Sequence, residues 1–227
     1  MFPSLSLGDP FTLFLAALAT LGVVGYLVGR AVNKRRTQAI SAWLEPGMRG
    51  LGGTPAVQAV NRTAFRVKVV QARPPFSVVT ATTVLISREA FPTWLWEATN
   101  RRRDVLIFHL TLRRPPTVEA DWLDPTAELG QRGASQVRAL DWTDGGVQGA
   151  YHLFHAPTTD PTQLAALAAL VAESRYRPYR VAVRRHAPHL LISMALPDIR
   201  SETSADLIRW LSRLVKATPL ERGNGRE

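Results

Sequence analysis

Eighteen consecutive residues without a charge, Phe11 to Val28 (FTLFLAALATLGVVGYLV), constrain this chain more than any other feature. As a helix rising about 1.5 Å per residue, the run spans about 27 Å, close to the roughly 30 Å hydrocarbon core of a bilayer. Pro10 stands at its start, where a missing N–H is tolerated. A buried helix of a soluble protein also reaches this length, so the flanks decide. Asp9 lies on one side; Arg30, Lys34, Arg35 and Arg36 lie on the other. The positive-inside rule then expects the N-terminus outside and the remainder in the cytoplasm, with the four basic residues at the headgroups. A cleaved signal peptide is the rival, and it requires a basic stretch before the apolar run that is not there. Gly25 and Gly29 have the spacing of a helix-pairing face, although glycines are also simply tolerated in membrane helices.

Charge is distributed to match. Residues 1–29 carry one acid and no base, whereas the rest carries all 28 basic residues and 17 acids, a net of +11. A basic body expects anionic partners: lipid headgroups, nucleic acid or an acidic protein surface. There is no cysteine, which excludes a disulfide scaffold, thiol catalysis and cysteine-ligated metal.

The pattern after the membrane run predicts five parts: a short extracytoplasmic stretch (1–10), a transmembrane helix (11–29), a juxtamembrane helix and loop (30–55), a cytoplasmic domain (56–217) and a disordered tail (218–227). The juxtamembrane helix runs from Ala31 to Glu45, with Ile40, Trp43 and Leu44 at helical spacing and Pro46-Gly47 as its stop. Within the domain, alternation predicts strands over 57–72, 76–86, 104–114, 137–143, 147–154, 179–185 and 189–196, with a turn at Asp144-Gly145-Gly146. Residues 115–135 read as loop. Helices are expected from Ser87 to about Arg101 (stripe Phe91, Leu95, Ala98), after Asp160-Pro161 (Leu164, Leu167, Ala168, Val171), and after a Ser201 or Ser204 cap (Leu207, Trp210, Leu211, Leu214, Val215). The expected fold is α+β: a mostly antiparallel sheet with about three packed helices behind one membrane helix.

Chemistry-bearing constellations are sparse. No Gly-x-Ser-x-Gly elbow occurs. His152/His155 and His186/His189 are the only close histidine pairs, and three residues apart on a strand they point to opposite faces. Asp121-Trp122-Leu123-Asp124 and Asp141-Trp142-Thr143-Asp144 read as two turns with solvated acids, not calcium loops. Asn61-Arg62-Thr63 matches a glycosylation acceptor that a cytoplasmic location makes irrelevant. No catalytic residue, cofactor or metal is expected. Among the basic clusters, Arg101–Arg103 suits a helix C-terminus. Arg175, Arg177, Arg180, Arg184 and Arg185, interleaved with Tyr176 and Tyr179, form the candidate partner-binding patch, read either as a phosphate-contacting surface or as a charge-blunted edge strand.

Several short segments carry a resemblance. Gly25-Tyr26-Leu27-Val28-Gly29-Arg30 with Asn33, Lys34, Ala39 and Ala42-Trp43 resembles the membrane exit of the calumin family, the coiled-coil-domain subunit of the endoplasmic reticulum PAT complex. Leu106 to Thr111 (LIFHLT) is similar to the strand after that family's first cytosolic helix. Tyr151-His152-Leu153-Phe154, leading into the helix at 162–173, resembles its next strand–helix unit, and His189 to Pro197 (HLLISMALP) its late strand. The resemblance runs from about 22 to 217 and implies a short, outlying member with the N-terminus out and a cytosolic domain. It further implies a non-enzymatic role in inserting or assembling membrane proteins, with translocon, ribosome or client helices as partners beside the lipid bilayer, anionic lipid included, and no small-molecule substrate. The acidic lumenal region and charged C-terminal coiled coil of the family have no counterpart, so calcium binding is not expected. An accessory subunit of a stable membrane complex is the alternative role.

Overall fold

The computed structural model describes residues 9–89, 99 and 102–221. Residues 90–98, 100 and 101 of the helix expected over 87–101, including its stripe Phe91, Leu95 and Ala98, lie outside the described residues, as do 1–8 and 222–227. The chain divides into two compact units, one of residues 1–39 with 85–103 and one of residues 40–84 with 104–227.

Helix α1 runs without interruption from Pro10 to Gly50, 41 residues. It is the one described helix long and apolar enough to cross a membrane, and none of the apolar window is buried within the protein. Phe14 and Leu27 are 63% and 57% exposed. Pro46 does not stop the helix, contrary to the sequence reading. Its missing N–H removes one helical bond, a penalty of about 3 kcal/mol in an isolated helix. Burial offsets it: Ile40, Leu44 and Met48 are almost fully buried in the second unit. The Trp43 indole N–H donates to the Glu202 carbonyl at 2.7 Å, and the Gly47 N–H donates to Ser204 Oγ at 3.1 Å. The helix ends instead where Gly52 and Gly53 take positive φ (81° and 79°).

Among the described residues, the second unit is built on nine strands: β1 Ala56–Ala59, β2 Ala64–Val70, β3 Phe76–Val84, β4 Val105–Leu112, β5 Ala120–Leu123, β6 Thr143–Gln148, β7 Tyr151–His155, β8 Arg180–Val183 and β9 Leu190–Ala195. They form one sheet in the order β1-β2-β3-β4-β9-β8-β5-β7-β6. Every pairing is antiparallel. Helices α2 Glu128–Arg138, α3 Ala165–Ala172 (after a 3-10 turn, Pro161–Leu164) and α4 Ser204–Ala217 complete it.

Register sorts the side chains into two faces, because cross-strand partners share a face. One row reads Val67, Ala81, Phe108, Ile192, Val181, Trp122, Leu153. Each of these is at most 2% exposed, and this is the core face. The buried stripes of α1 (Ile40, Leu44, Met48), α3 (Leu167, Val171) and α4 (Leu207, Trp210, Leu211, Leu214, Val215) supply the apolar surface that such a face requires. The opposite face carries Arg66, Thr82, Ile107, Ser193, Arg180, Leu123 and His152 in one row, and Lys68, Thr80, His109, Leu191, Ala182, Asp121 and Phe154 in the next. Strand β4 is central, as its sequence predicts, yet only Leu106, Phe108, Leu110 and Leu112 are fully buried.

Several local expectations are corrected. The segment 57–72 is a hairpin, turned at Asn61, whose Oδ1 accepts the Thr63 N–H at 2.9 Å. Residues 115–135 hold β5 and most of α2. Periodicity fails there because β5 is only four residues long and α2 faces the sheet largely through glycine: a Cβ on Gly130 would lie 1.9 Å from the Asp124 carbonyl oxygen. Asp144-Gly145-Gly146 forms an irregularity inside β6, and the turn falls at Gly149-Ala150; residues 137–138 end α2. Thr203, not Ser201 or Ser204, caps α4, accepting the Asp206 N–H. Of the expected tail, Thr218–Glu221 are hydrogen-bonded: Glu221 N–H donates to the Pro115 carbonyl, and Thr117 N–H to that of Pro219.

Two tests follow from this packing. A Cβ on Gly47 would stand 2.8 Å from the Ser204 carbonyl, so Gly47→Val should lower the unfolding free energy by about 2 kcal/mol, read by urea titration. Burial holds the His189 imidazole below its usual range, and its Nδ1 accepts the Leu112 N–H at 2.9 Å. Burial lowers His109 likewise, followed by the nearby Arg66 charge. Because the fold favours the neutral rings, their contribution is complete above the unfolded histidine pKa of about 6.5 and is lost as pH falls below it. Thermal unfolding of the full chain in detergent should therefore weaken between about pH 7.5 and about pH 5.5, with a smaller step in His189→Gln.

Candidate functional site

The arginines proposed as a partner-binding patch start from β8 and the turn before it, and the fold disperses them. On β8, Arg180 and the residue four further on, Arg184, project from the same sheet face, opposite β5. Between them lies Asp121, completely buried. Arg180 Nε donates to both Asp121 oxygens at 3.0 and 3.1 Å, its Nη2 to Oδ2 at 2.6 Å, and Arg184 Nη2 to Oδ2 at 2.8 Å. Burial pushes the Asp121 carboxyl up; the hydrogen bonds and charges of Arg180 and then Arg184 pull it back down. The net direction is upward, and four charge-assisted contacts to two permanent cations offset part of the cost of burial.

The Nη1 group of each guanidinium is also occupied. Arg180 Nη1 donates to Gln136 Oε1 on α2 at 2.7 Å. Arg184 Nη1 donates to the carbonyls of Ala120 and Val183 at 3.1 and 2.9 Å, and its plane lies 4.4 Å over the Trp142 ring. Arg185 Nη2 donates to the Thr117 carbonyl at 2.9 Å, and its N–H to Glu119 Oε1 at 3.2 Å. Arg175 donates to the Tyr176 hydroxyl at 2.8 Å and lies 3.6–3.8 Å from the carboxylates of Asp206 and Glu202. Tyr176 is buried against Trp210, with ring centroids 5.3 Å apart. Tyr179 joins strands through its backbone, donating to the Ser193 carbonyl and accepting from Asp124. Arg177, at φ 41°, is exposed. The interleaved patch is therefore a structural ion cluster with an exposed fringe, not a contiguous basic surface. The sequence signal that could have shown this is the pair of arginines four apart on one strand face, matched to an acid within an apolar stretch.

Other candidates resolve similarly. Asp121 lies on strand β5 rather than in a turn, which corrects half of the D-W-x-D reading. Asp124 Oδ1 caps a turn at Thr126, and Asp144 Oδ1 accepts the Gly146 N–H at 2.7 Å and lies 2.6 Å from His152 Nε2. Those contacts hold the Asp144 carboxyl below its usual range, the Gly146 N–H contributing most. His152 and His155 occupy opposite faces of β7, as the spacing predicts. Among the described residues, no group of three His, Asp or Glu side chains is placed to hold a metal ion. Cavities open on the second unit among the described residues. One, about 290 Å³, lies between the end of α3 and α4 and is lined by Leu170, Tyr176, Trp210, Arg209 and Arg213 with Asp206. Another, about 340 Å³, lies between α2 and β7, over Leu123 and Phe154.

In the first unit, Arg30, Lys34 and Arg35 are exposed on α1 together with Arg36, and Gly25 is half-buried. Gly29 is buried against its own chain: a Cβ there would lie 1.8 Å from the Arg88 carbonyl oxygen. The close approach that suggested a second membrane helix is thus used, at Gly29, by residues 88–89.

Removing the central acid should be severe. Asp121→Asn leaves two guanidinium groups uncompensated and should cost about 3 kcal/mol or more in urea unfolding, while Arg177→Gln should stay within about 0.5 kcal/mol of the native chain. No protein-family model matches the sequence, and no curated protein matches it.

Proposed function

We propose that this chain is a single-pass membrane protein with its N-terminus outside and its α+β domain in the cytoplasm, acting without catalysis to assist insertion or assembly of membrane proteins, in the manner of the calumin family it resembles. The observation that carries the reading is α1. Its first half exposes an unbroken apolar surface, a basic stretch follows, and the same helix ends with Ile40, Leu44 and Met48 in the core of the sheet domain. Three of the segments quoted for the resemblance lie on strands: LIFHLT within β4, YHLF within β7 and LLISMA on β9.

A second reading, an accessory subunit of a stable membrane complex, is favoured by the internal engagement of Arg180 and Arg184, which leaves less basic surface for ribosomal RNA. The two readings part on partner stoichiometry. Crosslinking in native membranes should capture insertion machinery, ribosomes or nascent chains in substoichiometric amounts; one fixed partner at constant ratio and no biogenesis factor would establish the subunit reading instead. Because the chain has no cysteine, single cysteines at Ser6 and Ser212 should label from opposite sides of sealed vesicles with an impermeant maleimide.

A further inference from the structure

Helix α2 takes its seat on the outer sheet face over β5 and β8, where Gly133 lies against Leu123 and Arg180 and Gln136 accepts from Arg180. From β9 the same face continues through β4, β3 and β2 to the edge strand β1. There Arg66, Thr82, Ile107, His109 and Leu191 are partly open, and Lys68 is exposed. None of these five strands contains an acidic residue. Among the described residues neither Arg66 nor Lys68 has an ion-pair partner. This part of the face is therefore positive.

The row Arg66, Thr82, Ile107, Ser193 also holds two buried polar atoms with no hydrogen-bond partner among the described residues, Arg66 Nε and Ser193 Oγ. Ser193 is only 3% exposed. Buried polar groups are nearly always satisfied, so two unsatisfied ones in one row mark a surface that is completed by something laid over it. The Arg66 charge also acts on the His109 imidazole, second to burial in holding it below its usual range, so the guanidinium serves the sheet face.

Dimensions and charge select the occupant. From β2 to β9 is three inter-strand spacings, about 14 Å, and a helix with its side chains is about 10–12 Å across. Arg66 and Lys68, two apart on β2, stand about 6.7 Å apart along the strand; carboxylates four apart on a helix stand about 6 Å apart along its axis. One flank of an acidic helix can meet both cations while its apolar stripe covers Ile107 and Leu191. Other occupants match less. Phe65, Phe76 and Phe108 are all buried on the core face, which leaves bases no aromatic platform here. Two cations are fewer than the roughly four to eight of a lipid-binding cluster. A second copy would set like charges against each other.

We propose that the outer face of β2, β3, β4 and β9 docks an acidic amphipathic helix of a partner protein, with Arg66 and Lys68 pairing its carboxylates and Ile107 and Leu191 receiving its apolar stripe. The surface belongs to the second unit alone and does not rest on the membrane reading of α1.

The test uses the full chain in mild detergent and two synthetic helical peptides. One carries Glu at every fourth position beside a Leu stripe; the other has Lys in place of Glu. By fluorescence anisotropy the acidic peptide should bind at least about ten-fold more tightly, and less so as salt rises. Arg66→Gln combined with Lys68→Gln should remove about that factor in a chain with unchanged circular dichroism. Ile107→Glu should give a similar loss, and Arg213→Gln, an exposed charge on α4, should change nothing. Because the chain has no cysteine, Thr82→Cys reports on the face itself. The acidic peptide should slow its maleimide labelling and leave Ser212→Cys unaffected. Equal binding of the two peptides, or unchanged affinity in the folded double variant and in Ile107→Glu, would overturn the proposal. A Thr82→Cys thiol closed to maleimide in the chain alone would overturn it too, because the chain would already cover the face. Tighter binding of single-stranded oligouridine, with protection of Thr82→Cys, would reassign the face to nucleic acid and overturn the protein claim.

Discussion

Asp121 is a carboxylate with no exposure to water, on a strand between β7 and β8, and an uncompensated charge there would be incompatible with the fold. Two arginines from β8 and its following turn close around it. Those arginines in turn hold what surrounds them: Arg180 reaches α2 through Gln136, and Arg184 reaches the backbone of β5 and the ring of Trp142. Helix α2 contributes one large buried apolar residue, Val137, and otherwise approaches the sheet through Gly130 and Gly133. With so little apolar area, its position depends on the ion cluster more than on hydrophobic burial. This half of the outer sheet face is thus organised by charge, whereas the core face is organised by continuous apolar rows.

The same cluster bears on function. Arginines that a composition argument offers to nucleic acid or acidic proteins are committed to an internal carboxylate, to carbonyls and to aromatic faces. Each such contact removes a donor from the surface. A charge count therefore overstates the basic surface of the second unit, and the basic residues that follow the apolar run become the more informative group. There the fold brings Arg88 to a helix already rich in cations, through a contact with Asn33 that residue order does not show.

Legibility followed local physics. The alternation of Leu106, Phe108, Leu110 and Leu112 identified a central strand, since period-two burial requires only neighbours along the chain. The stripe of Leu207, Trp210, Leu211, Leu214 and Val215 identified α4 for the same reason. Strand β5 escaped because four residues give too little period to detect, and because its acid imitates a turn. The Pro46-Gly47 stop failed because distant residues, Glu202 and Ser204, bind that turn of α1 and hold it helical. In each failure a contact far along the chain outweighed a local preference of at most a few kcal/mol.

By itself, the sequence determined the long apolar helix, the charge asymmetry about it, the absence of cysteine chemistry and the α+β class, because each depends on composition or on periods within a short window. Tertiary structure alone decided which arginines remain at the surface, that Asp121 is a buried ion rather than a solvated turn residue, and that Gly29 and Asn33 receive Arg88. Those outcomes depend on strand register and on approaches between segments about 50 to 60 residues apart. Charge pairing and close packing act through space, and residue order along the chain does not carry that distance.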